Sequence, residues 1–376
     1  MTLIMELKNP VDYFPYIGHE LDQEKLRKAK LWKNVIGSLF EEKHITRRGN
    51  EILVQGDENV PLFREVRIKG VREQQKVAQD SFSVCAVVPR HRSLYDYGIG
   101  MPVHSQFINQ EVMLLAGSNL FVEGYDTMLR HYGGFMFLRE DTVLKKKGYP
   151  NVFLSITRYL QEVFPAYLNQ QMFEGVGKNK LKRDMIVYPG QEKDPVTKKR
   201  SGGRSKSGRL RELSPLIFEN FRNLTRESST RLFISPVSVS FNKYPDAIFI
   251  VHPSKHSGIV KDLRYLHEQN LVGSWYPQYA QRHPEAKLEV IVNYGKPEPF
   301  EGADYKSFRD ILAYTKGLKN RIGQLESIFP SLLLYRALDT QSELSLPDLE
   351  SRSKKLYDHY LERGVNVEKI SSSPGT

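Results

Sequence analysis

From residue 22 to residue 44 the apolar side chains Leu26, Ala29, Trp32, Val35, Ile36, Leu39 and Phe40 recur at intervals of three and four, the spacing of one helix face. A second, mostly helical stretch is expected over about 61–79. After Asp80 the texture changes. Ser83-Val84-Cys85-Ala86-Val87-Val88-Pro89 is a short run of small and β-branched residues, which suits a buried strand. Comparable runs return at 111–116, 135–138, 185–188, 231–240, 247–251 and 288–294, with helical patterns at 152–168 and 210–224 between them. Helical stretches at about 304–324 and 346–363 close the chain.

Strands alternating with helices predict an α/β fold, a layered mixed sheet flanked by helices, with a smaller helical amino-terminal region. The expected division is residues 1–80 for the helical region, 81–366 for the α/β domain and 367–376 for a disordered tail. No internal repeat is found.

Composition changes this picture little. With 376 residues and 40% hydrophobic content the chain can build a sizeable core. The single cysteine, Cys85, cannot form an internal disulfide, so nothing points to an oxidising compartment. No run approaches the ~20 apolar residues that cross a bilayer, and Met1-Thr2-Leu3-Ile4-Met5-Glu6 lacks the layout of a signal peptide. The expectation is a cytoplasmic protein. Charge is more telling. Of a net +11, the segment from Lys178 to Arg211 carries +9, with 12 Lys or Arg against Asp184, Glu192 and Asp194. A field that concentrated favours an anionic partner: nucleic acid, an anionic membrane surface or a phosphorylated substrate.

The strand ending at Pro89 is followed by Arg90, His91, Arg92, Ser93 and Asp96. Loops at strand ends are where catalytic groups are presented on a rigid scaffold. A histidine serves as a general base near neutral pH when something fixes its tautomer and orientation. Asp96 is the natural partner. Two side chains five apart in one helix diverge by about 140°, so the pair requires His91 in the turn and Asp96 in the first helical turn behind it.

His-Arg-Ser-x-x-Asp-Tyr, from His91 to Tyr97, resembles the first sequence block of the glycerolipid acyltransferase superfamily, in its glycerol-3-phosphate acyltransferase branch. Gly133-Gly134-Phe135-Met136-Phe137-Leu138-Arg139 resembles the second block, Ser201-Gly202-Gly203-Arg204-Ser205-Lys206-Ser207-Gly208-Arg209 the third, and Ile234-Ser235-Pro236-Val237-Ser238-Val239-Ser240 the fourth. The run 288–297 resembles the strand and turn that commonly follow, so the likeness spans roughly residues 84–300. It implies His91 and Asp96 as catalytic residues. It further implies Arg92, Ser93, Gly134, Arg139, Gly202, Gly203, Arg204, Lys206 and Pro236 as substrate-binding ones, with Arg139 and Arg204 on the acceptor's phosphate. Two departures stand out. Many bacterial members have Glu-Gly where this chain has Ser201-Gly202, although plastid-type soluble members carry Ser-Gly-Gly-Arg. The segment 190–200 also intervenes before the third block, and its Glu192 is expected to be solvated rather than a replacement acid.

The resemblance implies transfer of a fatty acyl group from an acyl thioester, acyl-CoA or acyl carrier protein, to glycerol 3-phosphate in phospholipid biosynthesis. No metal and no cofactor beyond the thioester substrate is expected. Dihydroxyacetone phosphate or a lysophospholipid stay open as acceptors. A non-catalytic anionic-membrane-binding protein is the reading of another class. Peripheral contact with an anionic membrane, on its inner face, fits the basic segment without a spanning helix. Gly273-Ser274-Trp275-Tyr276 is read as loop or core packing ahead of membrane or acyl-chain contact. Gly203–Leu210 nearly matches a phosphate-cradling nucleotide loop but lacks its Lys at 209 and Ser or Thr at 210. Cys85 lies inside a strand pattern and is read as a buried hydrophobe. The ten histidines show no His-Glu-x-x-His spacing. The basic cluster lacks interleaved aromatics, so no nucleic-acid partner is expected.

Overall fold

Every residue of Ser83–Pro89 is buried, and the reason is a period of two. Val84, Ala86 and Val88 enter one hydrophobic cluster, while Cys85 and Val87 enter another. A strand apolar on both faces belongs in the middle of a covered sheet. The computed structural model describes residues 5–18, 35–91, 93, 95–121, 126–138, 140–146, 148–174, 182–193, 200–202, 211–245, 271–330, 332–333, 337, 345–362 and 366–367. Its main strands are β1 (Ile45–Arg48), β2 (Glu51–Gln55), β3 (Phe63–Lys69), β4 (Ser83–Pro89), β5 (Val112–Gly117), β6 (Gly134–Phe137), β7 (Asp184–Val187), β8 (Arg231–Phe241) and β9 (Leu288–Tyr294). They lie in the order β1-β2-β3-β9-β8-β4-β7-β5-β6, and Glu298–Pro299 pairs with β8 as a tenth strand.

The half of the sheet from β8 to β6 is parallel throughout. The strands β8, β4, β7, β5 and β6 therefore all end at one edge, where an open α/β sheet presents its loops. Beyond β8 the sense changes: β9 is antiparallel to β8 and parallel to β3, and β1, β2 and β3 are successively antiparallel.

Helices cover both faces. The helices α1 (Val71–Gln79) and α2 (Tyr95–Phe107) pack on the face of Cys85 and Val87 through Val71, Val77, Ile99 and Val103. On the other face lie α3 (156–173, alternating α and π turns), α4 (Pro215–Glu227) and α6 (Phe308–Gln324), with Tyr159, Phe164, Ile217, Phe221, Ile311 and Leu318 buried there. Between α4 and α6 comes the short α5 (Tyr276–Arg282), and α7 (Leu346–Glu362) follows them. Ser307 and Asp310 form a reciprocal capping box that starts α6, satisfying two orphan amides. Among the described residues no helix is long and apolar enough to cross a membrane.

The layered α/β fold is as the hydrophobic pattern predicts, with several elements corrected. The stretch 61–79 is strand β3 and then α1, not mostly helix: Val66 and Ile68 are buried while Arg67 and Lys69 are not, a strand period next to the helical one behind it. With β1 and β2, this extends the sheet across residue 80, where the pattern suggests a division, so residues 45–69 are sheet rather than helix. The stretch 152–168 opens with the strand Val152–Leu154, paired to Thr142–Leu144, and Ser155 accepts the amide of Arg158 to start α3. Glu212–Leu213 likewise precedes α4. Of the expected first helix, Val35, Ile36 and Leu39 are buried in the core and Glu42–His44 is a 3-10 turn, while residues 19–34 lie outside the described residues, as do 247–251 and the tail from 368.

Candidate active site

At the carboxyl edge of β4 the chain leaves the sheet and starts α2 within a few residues. Ser93 caps this start: its hydroxyl accepts the amide of Tyr95 at 3.1 Å, and its own amide donates to Asp96 Oδ2 at 2.8 Å. The second bond is the reciprocal half of a capping box, with an acid three residues after the serine. The carboxylate so held, at the positive end of a helix, also meets His91 Nδ1 at 3.1 Å. His91 thus sits in the turn and Asp96 in the first helical turn, as the five-residue spacing requires. Both side chains are buried, at 7% and 0% exposure. An ionised carboxylate only accepts hydrogen bonds, so Nδ1 carries the proton and Nε2 is the basic nitrogen of the imidazole.

Two tyrosines flank the imidazole. The ring centroids of Tyr97 and Tyr188 lie 4.6 and 5.0 Å from that of His91, and 4.6 Å from each other. Tyr188, which follows β7, donates its hydroxyl to the Asp96 carbonyl at 3.0 Å. Burial, seconded by the Asp96 charge, pushes its phenol well above the ordinary range, so it stays a donor. The other end of β7 holds α2 as well. Asp184 Oδ2 meets His104 Nε2 at 3.0 Å, and Oδ1 accepts the Cys85 amide at 2.8 Å. Four strand steps of ~3.3 Å nearly match eight helical steps of ~1.5 Å, so one short strand holds both ends of the helix that carries Asp96. Between them, Pro102 cannot donate to the Gly98 carbonyl, and the Tyr132 hydroxyl lies 3.4 Å from it.

The other expected residues are placed unevenly. Gly134 opens β6, and a Cβ there would come 2.6 Å from the Leu129 carbonyl, a packing reason for glycine. Pro236 lies opposite Val88 in β8. Its missing amide falls between the pairing of β9 and that of Glu298–Pro299, and its carbonyl accepts the Gly295 amide at 2.8 Å. Gly202 ends the strand Arg200–Gly202, which pairs with Gly190–Lys193. The described residues 190–193 and 200–202 therefore pair as an antiparallel ribbon, in which Glu192 is the cross-strand partner of Ser201. Arg92, Arg139, Gly203, Arg204 and Lys206 lie outside the described residues.

Part of the basic segment is structural. Lys182 donates to the carbonyls of Val77, Ala78 and Asp80 at 2.6, 3.0 and 2.8 Å, closing the end of α1, and burial lowers its pKa. Arg183 bonds Gln171 at 2.8 Å and lies 3.5 Å from Glu111. Cys85 is buried in the sheet, where burial, seconded by Asp184, raises its thiol pKa well above the ordinary value. Among the described residues no three of His, Cys, Asp and Glu gather to hold a metal ion. Pattern reading missed Tyr188, His104 and Asp184. For Asp184 there was a signal, an acid directly ahead of an apolar run, but it was counted only as a charge in the basic segment.

No family model and no curated protein sequence matches the chain. Among solved structures it is similar to the crystal structure of the 1-acyl-sn-glycerophosphate (LPA) acyltransferase PlsC from Thermotoga maritima, with 14% identity and a TM-score of 0.29, covering 68% of this chain and 79% of that one.

Proposed function

We propose that the chain is an acyltransferase that moves a fatty acyl group from an acyl thioester to the hydroxyl of glycerol 3-phosphate. The observation that carries this reading is the contact of 3.1 Å between His91 Nδ1 and Asp96 Oδ2 at the carboxyl edge of β4, where the tautomer makes Nε2 the base. His91 Nε2 takes the proton of the acceptor hydroxyl as its oxygen attacks the thioester carbonyl. Collapse of the tetrahedral intermediate breaks the carbon–sulfur bond, and the imidazolium returns the proton to the leaving thiolate. Asp96 stabilises the imidazolium between the two steps. No acyl-enzyme forms, and Cys85, buried with a raised pKa, is unsuited to be a nucleophile.

The resemblance in sequence assigns the acceptor's phosphate to Arg139 and Arg204, with Lys206 adding positive field; a planar guanidinium suits a bidentate phosphate contact. The donor is an acyl-CoA or an acyl carrier protein thioester. In this reading the protein works in the cytoplasm, against the inner face of an anionic membrane that receives its product.

The test is a panel of acyl thioesters against glycerol 3-phosphate, dihydroxyacetone phosphate and a lysophospholipid, following thiol release and lipid product. Thiol release that depends on glycerol 3-phosphate and disappears in folded His91→Ala is expected. Full turnover in that variant would sink the mechanism, and a preference for another acceptor would move the assignment within the same chemistry.

A further inference from the structure

The helical run that leads into α5 leaves one face uncovered. Trp275 is 59% exposed and Tyr279 39%, and their rings stack 5.5 Å apart at an interplanar angle of 4°. Tyr279 in turn stacks on His283, 4.3 Å away. Residues 275, 279 and 283 are four apart, so the three rings form one stripe along the helix. The opposite face is fully engaged: Val272, Pro277 and Ala280 are buried, and Tyr276 donates its hydroxyl to the Ala286 carbonyl at 2.7 Å. Trp275, which the sequence pattern assigns to packing, is therefore the most exposed large ring described.

The stripe stands beside the candidate site. Tyr95, the neighbour of Asp96, donates its hydroxyl to the Val272 carbonyl at 2.8 Å. The segment then enters β9, whose amino end pairs with the carboxyl end of β8, Val290 opposite Phe241. That is the edge at which β4 delivers His91.

We infer that this stripe is the surface by which the protein sits on an anionic phospholipid bilayer. The rings of Trp275 and Tyr279, with one polar atom each, suit the headgroup boundary, where the body is buried and the N–H or O–H stays wet. Positive side chains frame the stripe: Arg282 ends α5, and Lys243 donates to the Glu285 carbonyl at 2.6 Å. The acids on this side are engaged, Glu285 lying 3.4 Å from His283 and Glu289 ion-paired with Arg64. The area argues against a second copy of the chain. Three partly exposed rings offer roughly 200–300 Å², against the ~800 Å² per partner of a stable interface. The inference rests on the acyltransferase reading only in supplying a reason for the bilayer, a lipid product released at this edge. The surface itself is tested without substrate.

The chain has two tryptophans, Trp32 and Trp275, so the emission of the full chain minus that of Trp275→Phe reports Trp275. Vesicles of phosphatidylethanolamine and phosphatidylglycerol are expected to shift that difference spectrum to the blue, and brominated acyl chains to quench it. In co-sedimentation, the Trp275→Ala, Tyr279→Ala double variant should bind these vesicles roughly tenfold more weakly or worse. Both positions are exposed, and an unchanged melting temperature will establish that the variant folds. His91→Ala should sediment as the unaltered chain does, which separates this surface from the catalytic reading. An unquenched Trp275, or a folded double variant that binds as before, would overturn the inference. So would a concentration-dependent dimer that the double variant loses while neither form binds vesicles.

Discussion

Among the described residues two buried histidine–aspartate pairs each use one side chain of α2 and lie nearly the same distance apart, 3.1 Å for His91 with Asp96 and 3.0 Å for His104 with Asp184. They differ in which nitrogen meets the carboxylate and in what surrounds the pair. His104 uses Nε2 for Asp184 and has the Tyr294 hydroxyl 3.5 Å from Nδ1, while the second carboxylate oxygen holds the Cys85 amide. With a partner on each nitrogen and on each oxygen, that pair is a fastening inside the core. His91 gives Nδ1 to its acid, which makes Nε2 the basic nitrogen, and it stands where the parallel strands end. The contact between a histidine and an acid therefore says little by itself. Tautomer and place in the sheet carry the chemistry.

Exchanging the roles should separate the two pairs. The largest expected effect is on turnover in His91→Ala, a fall of about 10²–10⁴-fold in kcat, with a smaller loss of stability than in His104→Ala because the His91 side chain is 7% exposed and that of His104 is fully buried. In Asp96→Asn a fall near the lower end, about 10²-fold, is expected. His104→Ala should do the opposite. It leaves the buried Asp184 short of a partner and opens a cavity, so urea unfolding should show a loss of about 3–5 kcal/mol, with turnover per folded molecule within a few-fold of normal. If His104→Ala instead abolished turnover while folding normally, the contrast drawn between the pairs would be wrong.

Two finer substitutions sharpen the contrast. Removing the hydroxyl in Tyr188→Phe takes a donor from the Asp96 carbonyl and should cost about 0.5–1.5 kcal/mol, accompanied by a few-fold fall in kcat at unchanged KM. Its counterpart Tyr294→Phe removes a bond already at 3.5 Å, and should change stability by less than about 0.5 kcal/mol and turnover not at all. Ser93→Ala is expected to affect stability more than activity. It keeps the backbone amide on Asp96 and loses only the side-chain cap, worth about 0.5–2 kcal/mol in thermal or urea melts.

The fold class was legible because its central strands are apolar on both faces, a pattern of 83–89 and 185–187 that leaves little else to be. The helix-to-strand errors have one cause. At 63–69 and 152–154 a short strand abuts a helix, and a few residues of period two are absorbed into the longer pattern of the helix. The meeting of His91 and Asp96 could be foreseen because both partners lie within one strand-turn-helix. Tyr188, 92 residues from Asp96, and Asp184, 80 residues from His104, were invisible because strand order, not sequence, brings them together. The cap made by Ser93 is spelled out in Ser-x-x-Asp, a signature of a helix start that coincides with the first block of the resemblance.

The proline inside α2 has a consequence for how this site tolerates change. A helix missing a main-chain bond at Pro102 is divided into an upper segment bearing Asp96 and a lower one bearing His104, and β7 with Tyr188 splints the break from outside. Substitutions in residues 184–188 would then be transmitted to His91 without touching any ligand. In any redesign around His91, this strand belongs with the parts to be held constant.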